Sequence, residues 1–185
     1  FTDHTISTSA VSAFSVHAAD VDGDGDMDVI SASRYDNKIA WYENDGSESF
    51  TEHAISTSAD DASSVYAADV DCDRDMDVLS AAFIDDKIAW YENDGNANPS
   101  WTAQDIATSA DGATSIYAAD MDGDGDIDLI GTRGNSGEYD GVFWLEQRRS
   151  SAPRKVFFPA RPAESRQLPL PPASLSTQSL GGALR

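Results

Sequence analysis

The sequence holds a single cysteine, Cys72, so no disulfide can form within the chain. That says little about compartment, because a secreted domain stapled by metal needs none. Proline is nearly absent from residues 1–146, where Pro99 stands alone. Cations are scarce there too: 5 basic residues face 32 acidic ones, a net charge of −27. So acidic a surface repels a phosphate backbone, which excludes nucleic acid as a partner. It also disfavours docking on an anionic membrane. No apolar run approaches the roughly 18 residues of a membrane span. No segment of useful length carries a 3.6-residue hydrophobic period, so helices are not expected. The sequence opens at Phe1 without a signal peptide, so secretion cannot be read from it directly.

What the sequence has in excess is aspartate, in three runs. They read DVDGDGDMD at 20–28, DVDCDRDMD at 69–77 and DMDGDGDID at 120–128. Each places Asp at every second position: Asp20, Asp22, Asp24, Asp26 and Asp28; Asp69, Asp71, Asp73, Asp75 and Asp77; Asp120, Asp122, Asp124, Asp126 and Asp128. Carboxylates this dense repel one another unless a cation sits among them. All-oxygen ligands point to a hard divalent ion, calcium before others.

The runs belong to a longer repeat. Asp20 and Asp69 are 49 positions apart, and Asp69 and Asp120 are 51 apart. FTDHTIST at 1–8 returns as FTEHAIST at 50–57 and more loosely as WTAQDIAT at 101–108. KIAWYENDG at 38–46 returns at 87–95, and the third copy keeps VFWLE at 142–146. The units are taken as 1–49, 50–100 and 101–146. Each reads as four short strands: near Ser15–Ala19, Asp28–Ser33, Lys38–Glu43 and Phe50–Ser56 in the first. The Asn44-Asp45-Gly46 sequence is a hairpin signal. About 50 residues with four strands match one blade of a β-propeller. The small pairs Ala18-Ala19, Ala67-Ala68 and Ala118-Ala119 suit an innermost strand crowded near the axis. The fold class expected is therefore all-β, a partial propeller of three four-stranded blades.

Numbered from its first Asp, each run places carboxylates at 1, 3, 5, 7 and 9. Gly25 and Gly125 at position 6 let the backbone turn with positive φ. The side chains at 1, 3, 5 and 9 can converge, with residue 7 offering its carbonyl. An EF-hand is excluded, because it needs Glu at position 12, where this chain has Ser31, Ser80 and Gly131. In the second copy Cys72 and Arg74 replace the two glycines. Arg74 must then adopt a conformation that costs on the order of 1 kcal/mol, and its cation can itself meet the carboxylates. The second site is expected to be the weakest.

These residues resemble the FG-GAP/VCBS repeat of integrin-α-like β-propellers. The family's calcium loop, Asp-x-Asp-x-Asp-Gly-x-x-Asp, is matched by Asp20, Asp22, Asp24, Gly25 and Asp28. It is matched again by Asp120, Asp122, Asp124, Gly125 and Asp128. The resemblance covers residues 1–146. It implies Ca2+ as a mainly structural ion, and Asp26 and Asp126 as donors of a backbone oxygen. It further implies an extracellular or cell-surface setting and adhesion or recognition of a protein or glycan ligand. The alternative it permits is an accessory or catalytic propeller of a secreted hydrolase or lyase. No catalytic set is visible, and the chain is not expected to be an enzyme. The insertion at 134–140 is the one place where a unique catalytic loop could sit.

Other residues read as packing. His4 and His53 are repeat-equivalent, and His17 corresponds to Tyr66 and Tyr117. Cys72 among aspartates makes a poor nucleophile. Trp41, Trp90 and Trp144 recur in the third strand, where packing between blades outweighs sugar stacking. After Glu146 the period stops. Residues 147–185 are basic and rich in Ser and Pro, and are expected to be disordered. Three blades fall short of the 4 to 8 of closed propellers. Residues 1–8 look like the outer strand of a preceding blade. Further blades are thus expected from a longer parent chain or from self-association.

Overall fold

The structure, a computed structural model, describes residues 1–134 and 141–148. These lie within one compact unit, Phe1–Ser150. Among them there are eleven strands and no helix. The first sheet contains β1 (Ala13–Ala19), β2 (Asp28–Ser33), β3 (Lys38–Asn44) and β4 (Phe50–Ser56). The second contains β5 (Ala62–Ala68), β6 (Asp77–Ala82), β7 (Lys87–Asn93) and β8 (Trp101–Ala107). The third contains β9 (Ala113–Ala119), β10 (Asp128–Arg133) and β11 (Gly141–Leu145). Neighbours in sequence are neighbours in the sheet, and every pairing is antiparallel. The architecture is that of successive propeller blades.

The three sheets stack in chain order. β5 packs against β1 and β2, and β9 packs against β5 and β6. The second sheet therefore has a neighbour on each face. Ile30, Ile39, Trp41, Val65, Val78 and Tyr91 fill the first interface. Leu79, Ile88, Ile116 and Leu129 fill the second. Alternation explains the sets: Ile30 and Ala32 face one way along β2, and Val29 the other. The small residues do sit on the innermost strands, where β1, β5 and β9 lie side by side. There His17, Tyr66 and Tyr117 form a row, with ring centroids 4.4 and 4.6 Å apart. His17 thus stacks against a neighbouring blade, in keeping with the packing reading.

Two points differ from the sequence reading. Residues 1–12 form no strand, although 1–8 repeat the sequence of β4 and β8. An isolated strand has no ladder partner to satisfy its backbone, so the motif alone cannot form one. The third sheet has three strands among the described residues, one fewer than expected. In the first two sheets the fourth strand comes from the residues that open the following sequence unit, and no such motif follows Glu146. The insertion at 135–140 and the tail from 149 onward lie outside the described residues.

Candidate metal centre

Each acidic run forms the loop between the first and second strand of its sheet, at the same end as the Asn-Asp-Gly turns. The backbone of the three loops is nearly superposable in φ. Gly23, Cys72 and Gly123 take +76°, +62° and +81°. Gly25, Arg74 and Gly125 take +98°, +89° and +89°. Cys72 and Arg74 thus adopt the left-handed conformation of the glycines they replace. A Cβ at Gly23, Gly25 or Gly123 would meet nothing within 4 Å. The conformation itself, not crowding, is what penalises a side chain there.

The aspartates have distinct tasks. Asp20 accepts the N–H of Gly23 (2.9 Å) and of Gly25 (3.1 Å), folding the loop around its carboxylate. Asp120 does the same with Gly123 and Gly125, at 2.7 and 3.0 Å. Asp22 and Asp24 each accept the N–H two residues on. The pattern recurs at Asp71, Asp73, Asp122 and Asp124. These are Asx turns, and every such carboxylate keeps further lone pairs. At position 7 two side chains turn aside. Asp26 and Asp75 lie against Gly46 and Gly95 of the hairpin turn, leaving no room for a Cβ at either glycine.

The ninth aspartate is a buried clamp. Asp28 accepts the N–H of Val21 at 3.0 Å and of Asn44 at 2.8 Å. Asp77 accepts from Val70 and Asn93, at 3.0 and 2.9 Å. Asp128 accepts from Met121 and Gln147, again at 3.0 and 2.9 Å. Each ties the loop to the end of the third strand. Asn93 extends the tie across blades, donating to Val21 O of the first loop at 2.9 Å. Gln147, with its amide oriented to donate, reaches Ile127 O at 2.7 Å and Val70 O of the second loop at 3.3 Å. Gln147 thus does in the third sheet what Asn93 does in the second. The sequence hid this, because Gln147 opens a basic run instead of an Asn-Asp-Gly turn.

Carboxylate oxygens of Asp20, Asp22 and Asp28 converge within 4.8 Å of one another, as do those of Asp120, Asp122 and Asp128. In the second loop the converging set is Asp69, Asp71 and Asp73. There Asp69 Oδ1 is buried without a hydrogen-bond partner. The structure thus gathers positions 1 and 3 in every copy, with 9 in two copies and 5 in the other. Electrostatics fit a cation. Burial raises the pKa of Asp22, and the charges of Asp24, Asp28 and Glu43 push it the same way. Burial likewise raises Asp71, beside Asp73 and Glu92. Asp77 is pushed up to about 6 by burial, against the N–H groups of Asn93 and Val70. Burial also opposes ionisation of Asp128, but the N–H groups of Gln147 and Met121 outweigh it and hold the pKa below its usual value. An oxygen-only, negatively charged and partly desolvated donor set suits a hard divalent ion.

The tryptophans are graded. Trp41 is 1% exposed, Trp101 and Trp90 pack against the interfaces, and Trp144 is 48% exposed. Trp41 stacks on His53 with centroids 4.5 Å apart, and His53 Nε2 meets Glu43 at 2.8 Å. Cys72 is exposed and free.

No curated protein matches the chain. The FG-GAP-like repeat family matches it twice, over residues 20–80 and 73–131. Each match takes in at least part of an acidic loop and the strands that carry it. By those two matches, three repeated loops and blade-like sheets, the chain belongs to the FG-GAP-like repeat family.

Proposed function

We propose that the chain is a calcium-stapled propeller module that works in recognition outside the cell and carries no catalytic role. The observation that supports it best is the convergence of three carboxylates in the same loop of every sheet. Asp20, Asp22 and Asp28 would hold one ion, Asp120, Asp122 and Asp128 another, and Asp69, Asp71 and Asp73 a third. Backbone oxygens and water would complete the 6 to 8 oxygens that calcium takes. The ion would offset the mutual repulsion of the carboxylates and lock each loop. Millimolar extracellular calcium suffices for sites of modest affinity.

Recognition is assigned to the opposite end of the sheets. There a recess of about 550 Å³ is lined by Arg34, Tyr35, Asn37, Asp60, Asp61 and Ile84. Tyr35 and Ile84, equivalent residues of successive blades, stand exposed beside it. An aromatic flank with amide, guanidinium and carboxylate groups suits a glycan or a protein loop. Thermal melting with calcium and with chelator tests the metal, and a glycan array tests the recess. A melting temperature unmoved by millimolar calcium would contradict the first assignment.

A further inference from the structure

Val21 lies in sequence between Asp20 and Asp22, two of the three residues gathered in the first acidic loop. Both of its backbone groups are held. Its N–H donates at 3.0 Å to Asp28, the third residue of that set. Its carbonyl accepts from Asn93 Nδ2 at 2.9 Å, and Asn93 ends β7 in the second sheet.

Asn93 is 2% exposed and has its polar groups committed. Nδ2 also donates to Met76 O at 3.1 Å, and Oδ1 accepts the N–H of Gly95 at 3.0 Å. Its own N–H donates to Asp77 at 2.9 Å. Asp77 accepts in turn from Val70 at 3.0 Å. Val70 lies between Asp69 and Asp71, which converge in the second loop. A run of buried hydrogen bonds thus joins one carboxylate set to the next: Val70 to Asp77, Asp77 to Asn93, Asn93 to Val21. Breaking any of them leaves a buried donor or acceptor unmet, so a shift in one loop is costly unless the other follows.

The third sheet repeats the arrangement more loosely. Gln147 N donates to Asp128 at 2.9 Å, and its amide, oriented to donate, reaches Val70 O at 3.3 Å. Val70 is the counterpart of Val21. Gln147 is half-buried where Asn93 is buried, so water competes for its bond.

We propose that Asn93 is a positioning residue that couples the first two acidic loops, and that Gln147 couples the second and third more weakly. Given the calcium assignment, on which this rests, an ion in one loop fixes its carboxylates and, through the amide, favours the bound arrangement next door. Such coupling acts equally in both directions. The second loop, where Arg74 opposes binding, therefore fills with help from its neighbours and tightens them in return. The blades stiffen together over a narrower range of calcium than independent sites would give.

Calcium titration of the full chain, read by amide NMR in about 0.15 M salt to screen lost charge, tests this. Gly25 reports the first loop and Gly125 the third, each donating its N–H to the first aspartate of its run. Asp71→Asn, which weakens the second site, should lower affinity at Gly25 about fivefold, and at Gly125 by less. Asn93→Leu should lower affinity at Gly25 similarly and cancel the further effect of Asp71→Asn. Asn93→Gln should retain the coupling, because Gln147 already serves the third sheet that way. Unchanged affinity at Gly25 in Asp71→Asn overturns the coupling, and that arm leaves Asn93 in place. An Asp71→Asn effect that survives Asn93→Leu overturns the role of the amide. Should no loop bind calcium, the calcium assignment falls, and hydrogen exchange in chelator decides the coupling. There Asp77→Asn should speed exchange of the Gly25 N–H about fivefold in the parent and not in Asn93→Leu. Exchange at Gly25 indifferent to Asp77→Asn overturns the coupling as well.

Discussion

The carboxylate of Asp77 accepts the backbone N–H of Asn93 at 2.9 Å, joining the start of β6 to the end of β7. Its other oxygen takes the N–H of Val70. Both bonds are buried, so Asp77→Ala leaves two donors unsatisfied. Each such donor costs about 1–3 kcal/mol. The variant should lose about 3 kcal/mol in urea denaturation with chelator present. Asp71→Asn, at a partly exposed ligand position, should lose far less under the same conditions.

Arg74 holds φ at +89° where the other loops have glycine. Arg74→Gly should raise stability by about 1 kcal/mol, because the left-handed conformation is then unpenalised. It also removes a cation from a site proposed to bind one. Calorimetry should show tighter calcium binding at the second loop, and denaturation curves should show the added stability.

Asp77 supplies a pH dependence in the metal-free protein. Its pKa in the fold is about 6, above its ordinary value of 3.8. The folded state therefore takes up a proton that the unfolded chain does not hold between those values. The stability this gives is complete below 3.8 and is lost as pH rises through about 6. With chelator present, stability should fall between pH 4 and 7, and Asp77→Asn should flatten that slope. An NMR titration of the Asp77 carboxyl should give a midpoint near 6.

The blade was legible because its signals are local and repeated. Asp-rich loop, alternating strand and Asn-Asp-Gly turn recur at nearly constant spacing, and strands Asp28–Ser33 and Phe50–Ser56 form where expected. The strand expected near residues 1–8 did not form, because a strand exists only with a neighbour to pair with. The clamp formed by Asp28, Asp77 and Asp128 was not legible either. Spacing marks position 9 as a candidate ligand, but only the fold shows it accepting N–H groups seven residues back and sixteen or more ahead. Gln147 was missed for the same reason: its backbone N–H does the work, and any residue except proline has one.

The recess at the opposite end makes its own prediction. Arg34 Nε lies 2.7 Å from Asp61, and its guanidinium sits 4.0 Å from the Phe14 ring centre. Tyr35 is exposed and serves no packing role. Tyr35→Ala should leave the melting temperature within about 1 °C of the parent while abolishing whatever glycan or protein binding an array detects. Arg34→Ala should lower stability as well, because it removes both contacts.

Calcium in the acidic loops is what the rest depends on. Isothermal titration of the metal-free chain with calcium tests it most directly. Saturable binding of two ions is expected, with a weaker third at the second loop. Asp22→Asn and Asp122→Asn should each remove one of the tighter sites. No saturable heat at millimolar calcium, or binding indifferent to both substitutions, would contradict it.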